Sequence, residues 1–304
     1  MSGPTSTKVM DGASLGDVSL RHAGASLPEL QRLLRERMER RVHGLCFSAY
    51  LPGQSPEVAT QLSEQQIRDR LAHISPHCRW VRTFSCTDGN QYALRIAREL
   101  GLKTMVGAWI GEDADKNERE LEALNEVVAS GHADLVAVGN EVLYREDLAL
   151  DELIGWIERV KREMPGVPVG TVDAYYFFLK HPELLEACDQ LLINCYPFWE
   201  EFPLEEAVAA FREMVQRVQA VAGGKQIVIS ETGWPTSGDP VGAAVPSLRS
   251  SLLYALDVLD WSEENGLPLF YFAAYDEDWK TGPEGDCGSS WGFWDAHGGF
   301  KHRA

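Results

Sequence analysis

The chain has 304 residues, with 46 Asp or Glu against 28 Lys or Arg and a formal charge of -18. A surface of that sign repels phosphate backbones and anionic lipid, so nucleic acid and membrane are poor partners, whereas a neutral polymer is indifferent to it. At 44% hydrophobic and 24% charged residues the composition is that of an ordinary globular protein, with room for one large α/β domain or two small ones.

The N-terminus, "MSGPTSTKVMDGASLGDVSL", lacks the basic-then-apolar layout of a secretory signal. That points to the cytoplasm, or to a secreted or periplasmic protein whose signal has been removed. No apolar run approaches the ~18 residues of a membrane span. The longest candidate, "LFYFAAY" (269–275), reads as a core strand. Cys46, Cys78, Cys86, Cys188, Cys195 and Cys287 follow no CxxC or zinc-ligand spacing, so buried free thiols are expected.

Residues 1–42 read as a flexible Gly/Ser/Thr-rich lead and an amphipathic helix. In "LPELQRLLRERMERRV" the residues Leu30, Leu33, Leu34 and Met38 share one face, which predicts a helical extension packed on the domain without a part in function. From residue 43 short apolar runs alternate with charged helical stretches. The runs are "HGLCFSAYL", "WVRTFSC", "KTMVGAWIG", "LVAVGNEV", "PVGTVDAYYFF", "LLINCYPFW", "QIVISETGW" and "LPLFYFAAYDE". Between them lie patterns such as "DADKNERELEALNEVVASG" (113–131) and "LALDELIGWIERVKREMPG" (148–166), each closed by Gly or Pro. Alternation of strand and helix demands a parallel sheet. Eight such units over residues 43–304 predict an α/β fold made of a single (β/α)₈ TIM barrel.

In such a barrel the active site lies at the C-terminal ends of the strands. Predicted strand seven ends with Ser230 and Glu231, before Gly233, Pro235 and Gly238 break it. A lone Glu there reads equally as a solvated loop acid. Strand four, however, ends in Asn140 and Glu141, and the separation of 231 minus 141 is three βα units of ~30 residues. Strands four and seven face each other across the mouth. Two opposed carboxylates suit glycoside cleavage, one protonating the leaving oxygen and one attacking the anomeric carbon. Their environments must then differ, so that one stays protonated while the other stays ionised. Asn140 is placed to bind the sugar 2-hydroxyl.

Aromatic residues crowd the same rim. Tyr175, Tyr176, Phe177 and Phe178 are expected to end strand five; Tyr196, Phe198 and Trp199 strand six; and Tyr275 and Trp279 strand eight, with Trp234 following Glu231. Rings of this kind stack on the C–H face of a sugar, and Asp276, Glu277 and Lys280 offer polar partners to its hydroxyls. Each aromatic taken singly serves as well in a core.

With these residues in place the sequence resembles glycoside hydrolase family 17, the β-1,3-glucanases and β-1,3-glucanosyltransferases. The likeness runs from about residue 43 to the C-terminus. Its most specific string is "VISETGWPTSG", 90 residues after "VGNEV"; "VRTFSCTDGN", "NCYPFW", "DEDWK" and "WGFWDAHGGFK" follow the family order. The resemblance implies a retaining double displacement on β-1,3-linked glucose, with Glu141 as acid/base, Glu231 as nucleophile and Tyr196 beside the nucleophile. Glu277 and Lys280 match a supporting Glu–Lys pair of plant members. Trp279, where plant enzymes carry a polar residue, looks more like bacterial and fungal members, many of which are transglucosylases. Arg82, Asn140, Tyr175, Trp199, Trp234, Asp276 and Trp279 complete the expected substrate-binding set.

The partners implied are β-1,3-glucan or laminari-oligosaccharides as donor and acceptor, with no cofactor, and the protein is expected to be a monomer. Transfer is favoured over hydrolysis, since Phe198, Trp199 and Trp279 offer acceptor platforms. A non-catalytic β-glucan-binding barrel would have lost one of the two Glu. A metal-dependent barrel hydrolase would need clustered His ligands, and His43, His132 and His181 fall at the wrong end or beside helices.

Overall fold

The eight apolar runs become eight strands in the computed structural model, which describes residues 15, 18–282 and 284–303. They are β1 (Val42–Cys46), β2 (Cys78–Arg82), β3 (Lys103–Ala108), β4 (Leu135–Asn140), β5 (Val169–Ala174), β6 (Leu191–Asn194), β7 (Ile227–Thr232) and β8 (Leu269–Tyr271). They pair in parallel in sequence order, and β8 closes on β1 through Gly44 opposite Phe270 and Leu45 opposite Tyr271. A strand in such a barrel is covered on both faces, which is why β7 is apolar at Ile227, Val228 and Ile229 and buried at all six positions.

The outer layer is α1 (Leu27–Glu39), α2 (Glu64–Ile74), α3 (Gln91–Glu99), α4 (Ala114–Ala129), α5 (Leu150–Glu163), α6 (Tyr175–Lys180), α7 (Pro182–Ala187), α8 (Leu204–Val221) and α9 (Leu248–Glu264). Local chemistry sets their ends. The Asp113 side chain accepts the Lys116 N–H at 3.0 Å to start α4, and Gly131, at a φ of 73°, follows its last turn. The aromatic run 175–178, expected at the end of strand five, instead leaves the sheet at Ala174 and coils into α6. Pro182 opens α7 and separates it from α6.

Among the described residues no α-helix follows β8, only 3-10 turns over Asp278–Thr281 and Gly285–Cys287. The N-terminal helix takes that place in the ring. Helix α1 packs along α9 and buries Leu30, Leu34 and Met38 in the common core. Arg37, 2% exposed, holds Asp260 at 3.1 Å and Glu263 at 2.9 Å on α9. Residues 1–14, 16 and 17, most of the flexible lead expected from the sequence, lie outside the described residues. The six cysteines are all buried, and each is a free thiol. No described helix is long and apolar enough to cross a membrane.

Candidate active site

Strand pairing is irregular at three places: between Ala137 and Asn140 on β4, Ile193 and Asn194 on β6, and Ile229 and Thr232 on β7. All three lie at the C-terminal mouth, where such slips re-aim side chains. The β4 tip is the most contorted. Gly139 has a φ of 79°, and a β-carbon there would stand 2.5 Å from the Val142 side chain, so only glycine fits. Glu141 follows at a φ of 54°. A side-chain-bearing residue in that region stores about 1–3 kcal/mol, and its surroundings must hold it. The Glu141 N–H donates to Val172 O at 2.7 Å, and the Arg145 N–H donates to Glu141 O at 2.8 Å.

Glu231 on β7 is 5% exposed. Its Oε1 lies 2.8 Å from Arg82 Nη1, and its Oε2 accepts the Tyr196 hydroxyl at 2.8 Å. Arg82, at the end of β2, also donates from Nη2 to Asn140 Oδ1. One guanidinium thus ties the β7 carboxylate to the residue preceding the β4 carboxylate. Asn194, at the end of β6, makes a second tie. Its Nδ2 donates to Glu141 Oε1 at 2.8 Å, while its Oδ1 accepts from the hydroxyl of Ser230, the neighbour of Glu231, at 2.8 Å.

The two carboxyls therefore sit in different fields. Burial pushes Glu141 up to about 7, the charge of Glu231 adds to the rise, and the Asn194 hydrogen bond and Arg145 oppose it. Glu231 instead lies between a guanidinium and a phenol. Burial also disfavours the charge on Lys280, but Glu277, Glu284 and Glu231 more than offset this and hold its pKa above the usual lysine range. Lys280 Nζ stands 3.3 Å from Glu277 and 3.8 Å from Glu284. One carboxyl near neutrality facing another that is ion-paired is the division of labour that acid-assisted glycoside cleavage needs.

Glu141, Glu231, Arg82, Asn140, Tyr196, Glu277 and Lys280 thus converge as expected from the sequence. Trp199 and Trp279 remain half-buried at the rim, Trp199 against Trp291 with ring centres 5.4 Å apart and Trp279 edge-on to Tyr50 at 6.4 Å. Three of the expected aromatics are placed otherwise. Trp234 is fully buried against Phe198 and Tyr254, with its N–H on Val245 O at 3.1 Å. Tyr175 is 1% exposed, and Phe198, an expected acceptor platform, has no exposure. Rings without accessible surface give a sugar nothing to stack on, so all three belong to the packing beneath the rim. Asp276 turns to the C-terminal segment, where Lys301 Nζ holds it at 2.7 Å and the Gly292 N–H at 2.8 Å.

Some site residues escaped the sequence reading. Asn194 stood unremarked at the head of "NCYPFW". Glu284 is a further carboxylate, and its charge, like that of Glu231, reaches Glu141. Trp109, half-buried at the end of β3, carries the Arg145 guanidinium 4.2 Å above its ring. The "FSCTDGN" stretch has a scaffolding role. Glu120 of α4, with no exposure, accepts from Ser85 Oγ at 2.5 Å, Thr87 Oγ1 at 2.6 Å, Cys86 N at 2.8 Å and Trp109 N at 3.2 Å.

The family model for the BtgE/BtgC glycoside hydrolase domain matches residues 44–292. The chain is similar to a glucan 1,3-beta-glucosidase of Arthroderma benhamiae, at 30% identity over 249 residues, covering 73% of this chain and 79% of the relative. A glucan 1,3-beta-glucosidase of Candida albicans is 27% identical over 258 residues, covering 76% and 83%. Among solved structures, the glycoside hydrolase family 17 beta-1,3-glucanosyltransferase of Rhizomucor miehei aligns with a TM-score of 0.76 at 27% identity, covering 86% of this chain and 96% of its own. An active-site mutant of that enzyme, in complex with laminaritriose, aligns equally well. The family match runs from within β1 to beyond β8, both strand tips with their carboxylates included, and the chain belongs to glycoside hydrolase family 17.

Proposed function

We propose that this enzyme cleaves β-1,3-linked glucan by double displacement with retention at the anomeric carbon. The carrying observation is the unequal setting of two carboxylates at the tips of β4 and β7, one raised to about 7 and the other paired with Arg82. In the first step Glu141 gives its proton to the glycosidic oxygen as the C1–O bond breaks, and a Glu231 oxygen forms the new bond to C1. In the second, Glu141 takes a proton from the incoming hydroxyl, whose oxygen bonds to C1 and releases the Glu231 carboxylate. The Asn140 amide is directed to the sugar 2-hydroxyl, with its Oδ1 held by Arg82. The laminaritriose complex of the Rhizomucor miehei relative and the glucan 1,3-beta-glucosidase relatives support β-1,3-glucan as the substrate class.

The incoming hydroxyl belongs to water in hydrolysis and to a second sugar in transfer. Our reading gives transfer the larger share, with hydrolysis competing. Its support is the pair of half-exposed aromatic positions, Trp199 on Trp291, a ring that also meets Tyr196, and Trp279 by Tyr50 and Lys280. The test is incubation with laminari-oligosaccharides of one length and mass spectrometry of the products. Products longer than the donor are expected; only shorter ones would make the protein a hydrolase, and no change would remove the activity altogether.

A further inference from the structure

We propose that Asp173 is a positioning residue for the acid/base: its carboxyl fastens the left-handed turn that carries Glu141 onto β5, and it bears on the reaction only through that placement. The inference rests on Glu141 being the acid/base of the proposed reaction. Asp173 lies on β5 with no exposed surface, so it touches neither substrate nor solvent. A carboxyl hidden to that degree is unfavourable unless its oxygens are engaged. Both are. Oδ2 accepts the Leu143 N–H at 2.9 Å, and Oδ1 accepts the N–H of its own neighbour, Ala174, at 2.8 Å.

The contact with Leu143 is the informative one. Leu143 is two residues beyond Glu141, on a turn whose φ values of 79° at Gly139 and 54° at Glu141 do not hold themselves. Two clamps come from β5: Val172 O takes the Glu141 N–H before the bend, and Asp173 takes the Leu143 N–H after it. Between these two anchors the Glu141 side chain is aimed at Asn194. With Asp173 gone the turn keeps its internal bonds, such as Arg145 N–H to Glu141 O, but only the Val172 tie to β5, and the carboxyl gains freedom to swing away from the leaving oxygen.

Besides Asn194, the charged groups that bear on Glu141 are Glu231 from β7, Arg145 from its own turn and Glu284 from the segment after β8. Asp173 fits among them without adding a full charge. Burial, helped by the charge of Glu141, pushes its carboxyl up to about 8, so near neutral pH it is mostly protonated and still accepts through its oxygens.

The experiment uses two donors and the variant Asp173→Asn, which keeps the shape but replaces one accepting oxygen by an NH₂ group that cannot accept. Laminaritetraose needs a proton on its leaving oxygen; laminaribiosyl fluoride, with its good leaving group, does not. For the variant we expect kcat on laminaritetraose to fall about 10–100-fold with KM within about 2-fold, while fluoride release in the first turnover stays within about 3-fold of wild type. Asp173→Ser, which retains one acceptor in a smaller side chain, should show the same split, and near-UV circular dichroism reports whether each variant is folded. Equal losses on both donors in the folded variants overturn the inference, as does an unchanged kcat on laminaritetraose. A wild type that cleaves neither donor overturns the functional reading, and this inference with it.

Discussion

Arg82 and Glu231 form an ion pair at 2.8 Å with side chains only 1% and 7% exposed. Neither charge has enough water to stand alone. Removing one partner of a buried pair leaves the other uncompensated and costs about 3–5 kcal/mol. Arg82→Met should therefore lower unfolding free energy in urea by that order. The double variant Arg82→Met, Glu231→Gln should lose less than the sum of the two single changes. Additive losses would mean that the two side chains do not depend on each other.

The Asn194 hydrogen bond favours the ionised form of Glu141, against burial and the Glu231 charge, which together raise it to about 7. Activity that needs protonated Glu141 is present below that value and falls as pH climbs through about 7. Asn194→Ala removes a group that lowers the pKa, so the alkaline limb of kcat/KM should move to higher pH while the maximum rate drops. A limb that stays in place or moves to lower pH would contradict the assigned role of Asn194.

The barrel and its two carboxylates were readable because each rests on a local pattern: β-branched runs at βα spacing, and a Glu at a strand tip. What could not be read depends on neighbours brought together by barrel closure. Asn194 meets Glu141 across 53 residues, and Lys301 claims Asp276 from 25 residues away. No spacing rule announces either contact. The aromatic errors have another cause. A Trp or Tyr beyond a strand end can face the cleft or the layer beneath it, and only packing separates Trp279 at the rim from Trp234 below it. The run 175–178 is apolar throughout, so periodicity alone could not distinguish a strand end from the first turn of α6.

Trp199 and Trp279, expected from the sequence at the rim beyond β6 and β8, keep open surface there. If they form acceptor subsites, each contributes about 1 kcal/mol of stacking, and removing one lowers acceptor occupancy several-fold while water stays at its fixed concentration. Trp199→Ala or Trp279→Ala should then raise the ratio of hydrolysis to transfer with little loss in donor cleavage, measured by product sizes over time. A large drop in donor cleavage at an unchanged ratio would put those rings on the donor side or in the packing.

Helix α1 is part of the barrel wall, since Leu34 is fully buried in the common core and Arg37 binds α9. Leu34→Ala should cost about 2–5 kcal/mol in chemical denaturation while leaving the KM of the folded enzyme unchanged. A loss below about 0.5 kcal/mol, the range of surface substitutions, would make α1 an appendage.

The central claim is that Glu141 supplies the proton and Glu231 the bond to carbon, and laminaribiosyl fluoride separates the two most directly. Glu141→Gln should still release fluoride in its first turnover, because that leaving group needs no proton, while its cleavage of laminari-oligosaccharides falls by about 10²–10⁴-fold. Glu231→Gln should release no fluoride at all, since no carboxylate is left to attack. Fluoride release that survives in Glu231→Gln and disappears in Glu141→Gln would contradict the account.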